Sequence, residues 1–159
     1  MKNLRMLMIK PCGRDEAHIV HTLTQSAFKH YLGLLDPPSG VVRESAYLVR
    51  HDLEAHGGAI AWMGVVPVGC LRLEVESDHL HVRRVAVPPE YQRKGIGIAL
   101  MEWAHGHART LGLREVRLGV RLQLSGNQAF YRHLGYKVVA SHRHPAQRGV
   151  TWYEMVRTV

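Results

Sequence analysis

The run from His79 to Leu111 constrains this chain more than any other. It reads His79-Leu-His-Val-Arg-Arg-Val-Ala-Val87, then Pro-Pro-Glu-Tyr, then Gln92-Arg-Lys-Gly95-Ile-Gly97, and continues with Ile96, Ala99, Leu100, Trp103, Ala104 and Ala108 on one helical face up to Gly112. A strand, a glycine-bearing loop and a helix start therefore follow one another directly. The first turn of a helix leaves N–H groups without intrahelical partners and carries the positive end of the macrodipole. Glycine lets an anion approach that backbone without obstruction by Cβ. The combination is a cradle for phosphate or pyrophosphate. Ordinary turns and caps also use Gly-x-Gly, so context has to decide.

Two nucleotide-binding alternatives fit poorly. A dinucleotide fingerprint belongs just after an N-terminal first strand, with an acidic residue about 20 positions on. Here the loop follows three strand-like runs with short connections, and Glu115 lies beyond the helix. A Walker loop needs Gly-Lys-Ser/Thr after four intervening residues, and the chain has none.

The flanking pattern predicts an α/β fold. Arg5 to Ile9 reads as a short strand, and Asp15 can cap a helix with apolar positions at Ile19, Leu23, Ala27 and Phe28. After the breaker stretch Leu35-Asp-Pro-Pro-Ser-Gly40, the spacing of Val42, Ala46, Val49 and Leu53 predicts a second helix that ends at Gly57-Gly58. Ala59 to Val65, Val68 to Val75 and His79 to Val87 predict an antiparallel meander. Beyond the long helix, Glu115 to Arg121 alternates apolar and polar residues. Gln128 to Leu134 reads as a short helix, and Tyr136 to Ala140 and Val150 to Val156 as final strands.

Composition narrows the class. The 159 residues suit one domain, and 46% apolar with 21% charged residues is globular. The apolar N-terminus, Met1 to Lys10, is short and is followed by a polar segment, so neither a signal peptide nor a membrane span is expected. Cys12 and Cys70 lack zinc-ligand spacing and disulfide density, which suits free thiols in a cytoplasmic protein. The net charge of +8 is uneven: residues 1–80 hold eight Lys/Arg against nine Asp/Glu, and residues 81–159 hold thirteen against four. An anionic partner for the second half follows, and a phosphate-bearing cofactor or a nucleic acid would both satisfy it. No zinc-finger spacing or RNP-like aromatic run supports the nucleic acid.

Gln92-Arg93-Lys94-Gly95-Ile96-Gly97 resembles the Gln/Arg-x-x-Gly-x-Gly/Ala signature of the GNAT acyltransferases at every specified position. A second segment, Asn127-Gln-Ala-Phe-Tyr131-Arg-His-Leu-Gly135-Tyr136, resembles the family's Asn, Phe-Tyr and Leu-Gly-Phe/Tyr region, although Asn127 stands closer to Tyr131 than in many members. The likeness is strongest from Leu80 to Val138. It implies the GNAT fold: a mixed, mostly antiparallel sheet of six to seven strands with helices on both faces. It also implies acetyl-CoA as co-substrate, wedged where Leu80 to Val87 and Val116 to Arg121 splay apart, and an amine acceptor that the sequence does not identify.

By that resemblance, main-chain groups of Val85, Ala86 and Val87 meet the pantetheine arm like an added strand. N–H groups from Gln92, Arg93, Lys94, Gly95, Ile96 and Gly97 hold the pyrophosphate, with Asn127 as a further cofactor contact. Arg93 and Lys94 either add charge there or are simply solvated. Tyr131 matches the general acid that protonates the departing thiolate; its alternative is a core tyrosine with a surface hydroxyl. An ammonium has no lone pair, so the acceptor must lose a proton, and His81 stands where some members carry a basic glutamate. Glu44, Glu74, Glu76 and a held water are the alternatives. His79 with His81, and His142 with His144, could share strand faces, but chance pairing among twelve histidines explains them, so no metal is expected. Cys70 reads as a small core residue, and the apolar loop Tyr31 to Gly40 as a lid over the acceptor or a packed connection. A homodimer and a catalytically silent acyl-CoA-binding domain remain compatible with the same residues.

Overall fold

A computed structural model describes residues 6–159, so the part of the expected first strand at Arg5 lies outside the described residues. Among the described residues the fold is α/β, with a seven-stranded sheet in the order β1-β2-β3-β4-β5-β7-β6 and four α-helices. The strands are β1 (Leu7–Cys12), β2 (Gly58–Met63), β3 (Val66–Val75), β4 (Leu80–Ala86), β5 (Glu115–Arg121), β6 (Lys137–His142) and β7 (Trp152–Thr158). The helices are α1 (Ala17–Phe28), α2 (Ala46–His56), α3 (Ile96–Thr110) and α4 (Ser125–His133). Residues separate into two compact units. Unit one takes residues 6–74 and 82–104, and unit two takes residues 75–81 and 105–159.

In unit one, β1 pairs antiparallel with β2, and β2 antiparallel with β3, so that Ile60 faces Cys70 and Ala61 faces Gly69. Side chains alternate across a strand, and the neighbours of Gly69 and Cys70 show what covers each side. Cys70 and Ile60 belong to a buried cluster with Val20, Leu23, Val49 and Leu53 of α1 and α2. A Cβ on Gly69 would meet Ile96 and Leu100 of α3 at 3.1 and 3.2 Å. Helices thus lie on both faces of the sheet here, and the absent side chain at Gly69 is what lets α3 approach.

Several expected boundaries shift for identifiable reasons. Asp15 does not cap α1: a 3₁₀ turn over Arg14–Glu16 precedes it, and the Glu16 carboxylate accepts from the Gly13 N–H at 2.9 Å. The buried stripe of α1 is Ala17, Val20, Leu23, Thr24 and Ala27, with Ile19 and Phe28 only at its margin. Val42 lies in a separate 3₁₀ turn, because the Ser45 side chain accepts from Leu48 N–H and starts α2 there. Gly57, at φ +78°, ends α2 as expected.

Unit two is built on β5, whose Val116, Leu118 and Val120 are buried in strict alternation. β5 pairs antiparallel with β7, and β7 antiparallel with β6. Among the described residues its parallel ladder with β4 consists of two pairs, Leu80 with Val116 and His81 with Arg117. The long helix α3 contributes His105 to this unit, where that histidine is buried beside Tyr136. No helix among the described residues is long and apolar enough to cross a membrane.

Candidate active site

β4 leads into the glycine loop, and it is not a regular strand. Leu80, Val82 and Ala86 are buried, but Arg84 sits at φ +53°, in the left-handed region that a non-glycine residue enters at a cost of roughly 1–2 kcal/mol. Such an interruption re-aims the main chain of the residues that follow, here Val85 to Val87. The sequence shows no signal for it, since glycine and asparagine are the usual left-handed residues and an arginine stands instead.

After Val87 the chain makes a 3₁₀ turn over Pro89–Tyr91. The Gln92 side chain then reaches back, its Nε2 donating to the Val87 carbonyl at 2.9 Å. That bond is made by the side chain, so Gln92 acts as a tie across the loop. Arg93 at φ +62° and Gly95 at φ +81° turn the backbone into α3, which opens at Ile96. Ile96 is 1% exposed and packs into the core, and it opens α3, whose first N–H groups have no intrahelical partners. Arg93 and Lys94 are exposed and, among the described residues, form no ion pair. Val85 to Gly97 thus lie together in unit one, as a helix-start cradle with two cations at its rim.

Tyr131, Asn127 and His81 belong to unit two. Tyr131 is 9% exposed on α4, with its ring edge-on to Phe130 at 5.0 Å and to Tyr136 at 5.7 Å. The Asn127 N–H donates to the Leu124 carbonyl at 3.0 Å, which builds the first turn of α4. Half-buried His81 sits opposite Arg117 in the short parallel ladder, 6.3 Å from the ring of His79.

The rival bases differ in their engagements. Glu44 receives both terminal nitrogens of Arg72, one of them at 2.7 Å. Glu74 lies 3.5 Å from Arg83 and 3.9 Å from His56. Glu76 is exposed, and its N–H donates to the His79 carbonyl in the turn between β3 and β4. Both Glu44 oxygens are already engaged by Arg72, which counts against Glu44 as the base.

Cys70 is fully buried near Thr24, and burial pushes its thiol up to about 11. It stays protonated at neutral pH and is a poor nucleophile. His79 contacts Asp78 at 2.7 Å, and His142 stacks on Trp152 while lying 3.2 Å from Glu154. Among the described residues no three His, Cys, Asp or Glu side chains converge as a metal site. In the loop between α1 and α2, Leu35 is buried while Leu34 is 63% exposed, so one leucine anchors the loop and the other does not.

Two buried polar networks have no counterpart in the sequence reading. Arg72, 1% exposed, joins Glu44 to Asp52 in unit one. His105, 2% exposed, joins Tyr136 to Arg157 in unit two. The available signal for His105 was its spacing, four residues after Met101 and three before Ala108, on the buried face of α3.

Residues 21–136 match the sequence profile of the family described as "Acetyltransferase (GNAT) family". A curated relative, "Probable N-acetyltransferase 14" from Xenopus tropicalis, is 31% identical over 72 residues, which cover 44% of this chain and 35% of that protein. The match thus spans about a third of that relative's length. Among solved structures, the ribosomal-protein-S18-alanine N-acetyltransferase of Escherichia coli superposes with a TM-score of 0.78 at 18% identity, covering 96% of this chain and 94% of that one. The PaiA N-acetyltransferase of Thermoplasma acidophilum, solved in complex with coenzyme A, also gives 0.78, at 20% identity and 96% and 99% coverage. At these identities the structural likeness speaks for the fold.

Proposed function

Because the chain belongs to the acetyltransferase (GNAT) family, we propose that it is an N-acetyltransferase that passes the acetyl group of acetyl-CoA directly to a primary amine in a ternary complex. The observation that carries this is the loop from Gln92 to Gly97: tied at Val87, turned by Arg93 and Gly95, and opening onto the 15-residue α3. It suits the CoA pyrophosphate, with Arg93 and Lys94 adding charge at the rim. The coenzyme A complex of the similar PaiA fold supports the same choice of ligand. We read residues 1–159 as one acyltransferase domain, a reading that the family match over residues 21–136 supports.

In this reading the main chain of Val85, Ala86 and Val87 pairs with the pantetheine, and the N–H near Val87 holds the developing oxyanion. The amine lone pair attacks the thioester carbon, and the C–S bond breaks as the tetrahedral centre collapses. Tyr131 gives its proton to the leaving thiolate, and His81, or a water in its place, takes the proton from the amine nitrogen. Asn127 contributes through the first turn of α4. No acyl-enzyme is invoked, consistent with a buried, protonated Cys70. We place this activity in the cytoplasm, with free thiols at Cys12 and Cys70.

Calorimetric titration with acetyl-CoA and with its dephospho analogue tests the cradle, and thiol release across an amine panel tests the transfer. Binding that weakens without the phosphates, together with thiol release on at least one amine, is expected. Absence of acetyl-CoA binding overturns the reading; salt-sensitive binding of DNA or RNA instead would favour the nucleic-acid alternative.

A further inference from the structure

Unit one carries a cation that its own carboxylates leave uncompensated. Arg72 engages both Glu44 oxygens and one Asp52 oxygen. Arg83 takes the other Asp52 oxygen at 2.7 Å and approaches Glu74 at 3.5 Å, and Glu74 is also within 3.9 Å of His56. All three carboxylates of the cluster are therefore engaged by other side chains. Arg84 is half-buried beside them, yet among the described residues its guanidinium has no hydrogen-bond or ion-pair partner. Burial pulls Arg84 down from its ordinary value; attraction by Glu44 and Asp52 opposes this, and repulsion by Arg72 and Arg83 adds to it. A guanidinium partly withdrawn from water without a counter-charge is unfavourable, and its nitrogens stay open to a ligand.

Two backbone features hold it there nonetheless. Arg84 adopts φ +53°, which favours glycine or asparagine over arginine. Gly40 lies so close that a Cβ on it would stand 3.0 Å from Arg84 Nη2, so the missing side chain at Gly40 leaves the room that the guanidinium occupies. Backbone strain spent on keeping an uncompensated cation in place is a feature of ligand clamps more than of packing. Arg84 also directly precedes Val85, the first of the residues assigned above to the pantetheine arm, so a group bound at Arg84 lies beside the stretch of main chain proposed to meet the cofactor.

We infer that Arg84 is an anchor for a carboxylate on the acceptor, and that the acceptor is accordingly a small amine that also bears a carboxylate, as free amino acids do. The inference rests on the acetyltransferase reading. A carboxylate accepts two parallel N–H bonds from a guanidinium, which supplies both the missing charge and a fixed orientation for the amine.

The test compares acetylation of a panel of amino acids with that of the corresponding carboxamides, in the full-length chain and in Arg84→Asn and Arg84→Lys. Asparagine tolerates the left-handed backbone, and calorimetry with acetyl-CoA verifies that each variant is folded. The wild type is expected to favour the best carboxylates over their carboxamides by about tenfold or more in kcat/KM, the scale of one charge-assisted hydrogen bond. In Arg84→Asn that ratio collapses towards one through a rise in KM for the carboxylates, and in Arg84→Lys part of it survives. The proposal is overturned if acetyl-CoA binds but carboxylates are acetylated no faster than carboxamides, or if Arg84→Asn keeps the wild-type ratio. Failure to bind acetyl-CoA would instead remove the acetyltransferase reading, and this one with it.

Discussion

The Nε2 atom of His105 lies 2.6 Å from the hydroxyl of Tyr136, while its Nδ1 lies 3.0 Å from Arg157 Nη1. Arginine can only donate, so Nδ1 accepts, and a neutral imidazole then carries its hydrogen on Nε2 and donates it to the Tyr136 oxygen. The neutral state follows from the surroundings: burial, then repulsion by Arg157 and Arg109, pulls His105 down to about 4.

Acid should therefore weaken the fold through this residue. In the unfolded chain His105 takes a proton near pH 6.5, whereas in the folded chain it resists until about 4. The folded pKa is the lower one, so the contribution is complete above pH 6.5 and is lost as the pH falls towards 4. Urea unfolding of the wild type and of His105→Gln at pH 7.5 and 4.5 isolates the effect. The stability advantage of the wild type is expected to shrink by about 2 kcal/mol at the lower pH.

Arg72 is the other buried hub, and its removal should be severe. Burial would pull the guanidinium down, but the hydrogen bonds and charges of Glu44 and Asp52 outweigh that and hold it above its ordinary value. Arg72→Ala leaves both carboxylates without their central cation, and denaturant titration should record a loss of roughly 3–5 kcal/mol. Arg93→Ala, at an exposed cation, should change stability by no more than about 0.5 kcal/mol and act instead on acetyl-CoA affinity.

Gly95→Ala tests the cradle through its backbone. At φ +81° an alanine is strained by roughly 1 kcal/mol, and relief of that strain moves the N–H groups that open α3. Acetyl-CoA affinity should fall by more than stability does. Equal binding by wild type and variant, measured by calorimetry, would remove Gly95 from the site.

Tyr131→Phe should lower turnover by roughly 10²-fold or more while sparing acetyl-CoA affinity, because only the proton for the thiolate is lost. His81→Ala should lower turnover most at neutral pH and less in alkaline buffer, where more of the amine is already deprotonated. Unchanged turnover in either variant, read by thiol release, takes that residue out of the mechanism.

What was readable in advance was whatever depends on local pattern. β5 occupies Glu115–Arg121 as its alternation implied, because a strand with one buried face writes a period of two into its residues. α3 and the loop before it were equally plain, since a glycine-bearing helix start and a 3.6-residue stripe are both local. Ser45 as the cap of α2 and the 3₁₀ turn before α1 were missed, because several residues near each helix start were chemically able to cap.

The sequence by itself determined the class of fold, and it singled out the glycine-bearing helix start and Tyr131 as candidates for the anion cradle and the acid. Tertiary structure alone decided which charges meet: that Arg72 claims Glu44 and Asp52, that His105 is neutral between Tyr136 and Arg157, and that Arg84 is left over. These pairs are separated by 20 to 52 positions in the chain. Periodicity reports only which face of an element is buried, whereas the partner of a buried charge is chosen by the packing of distant elements and by the cost of leaving that charge alone.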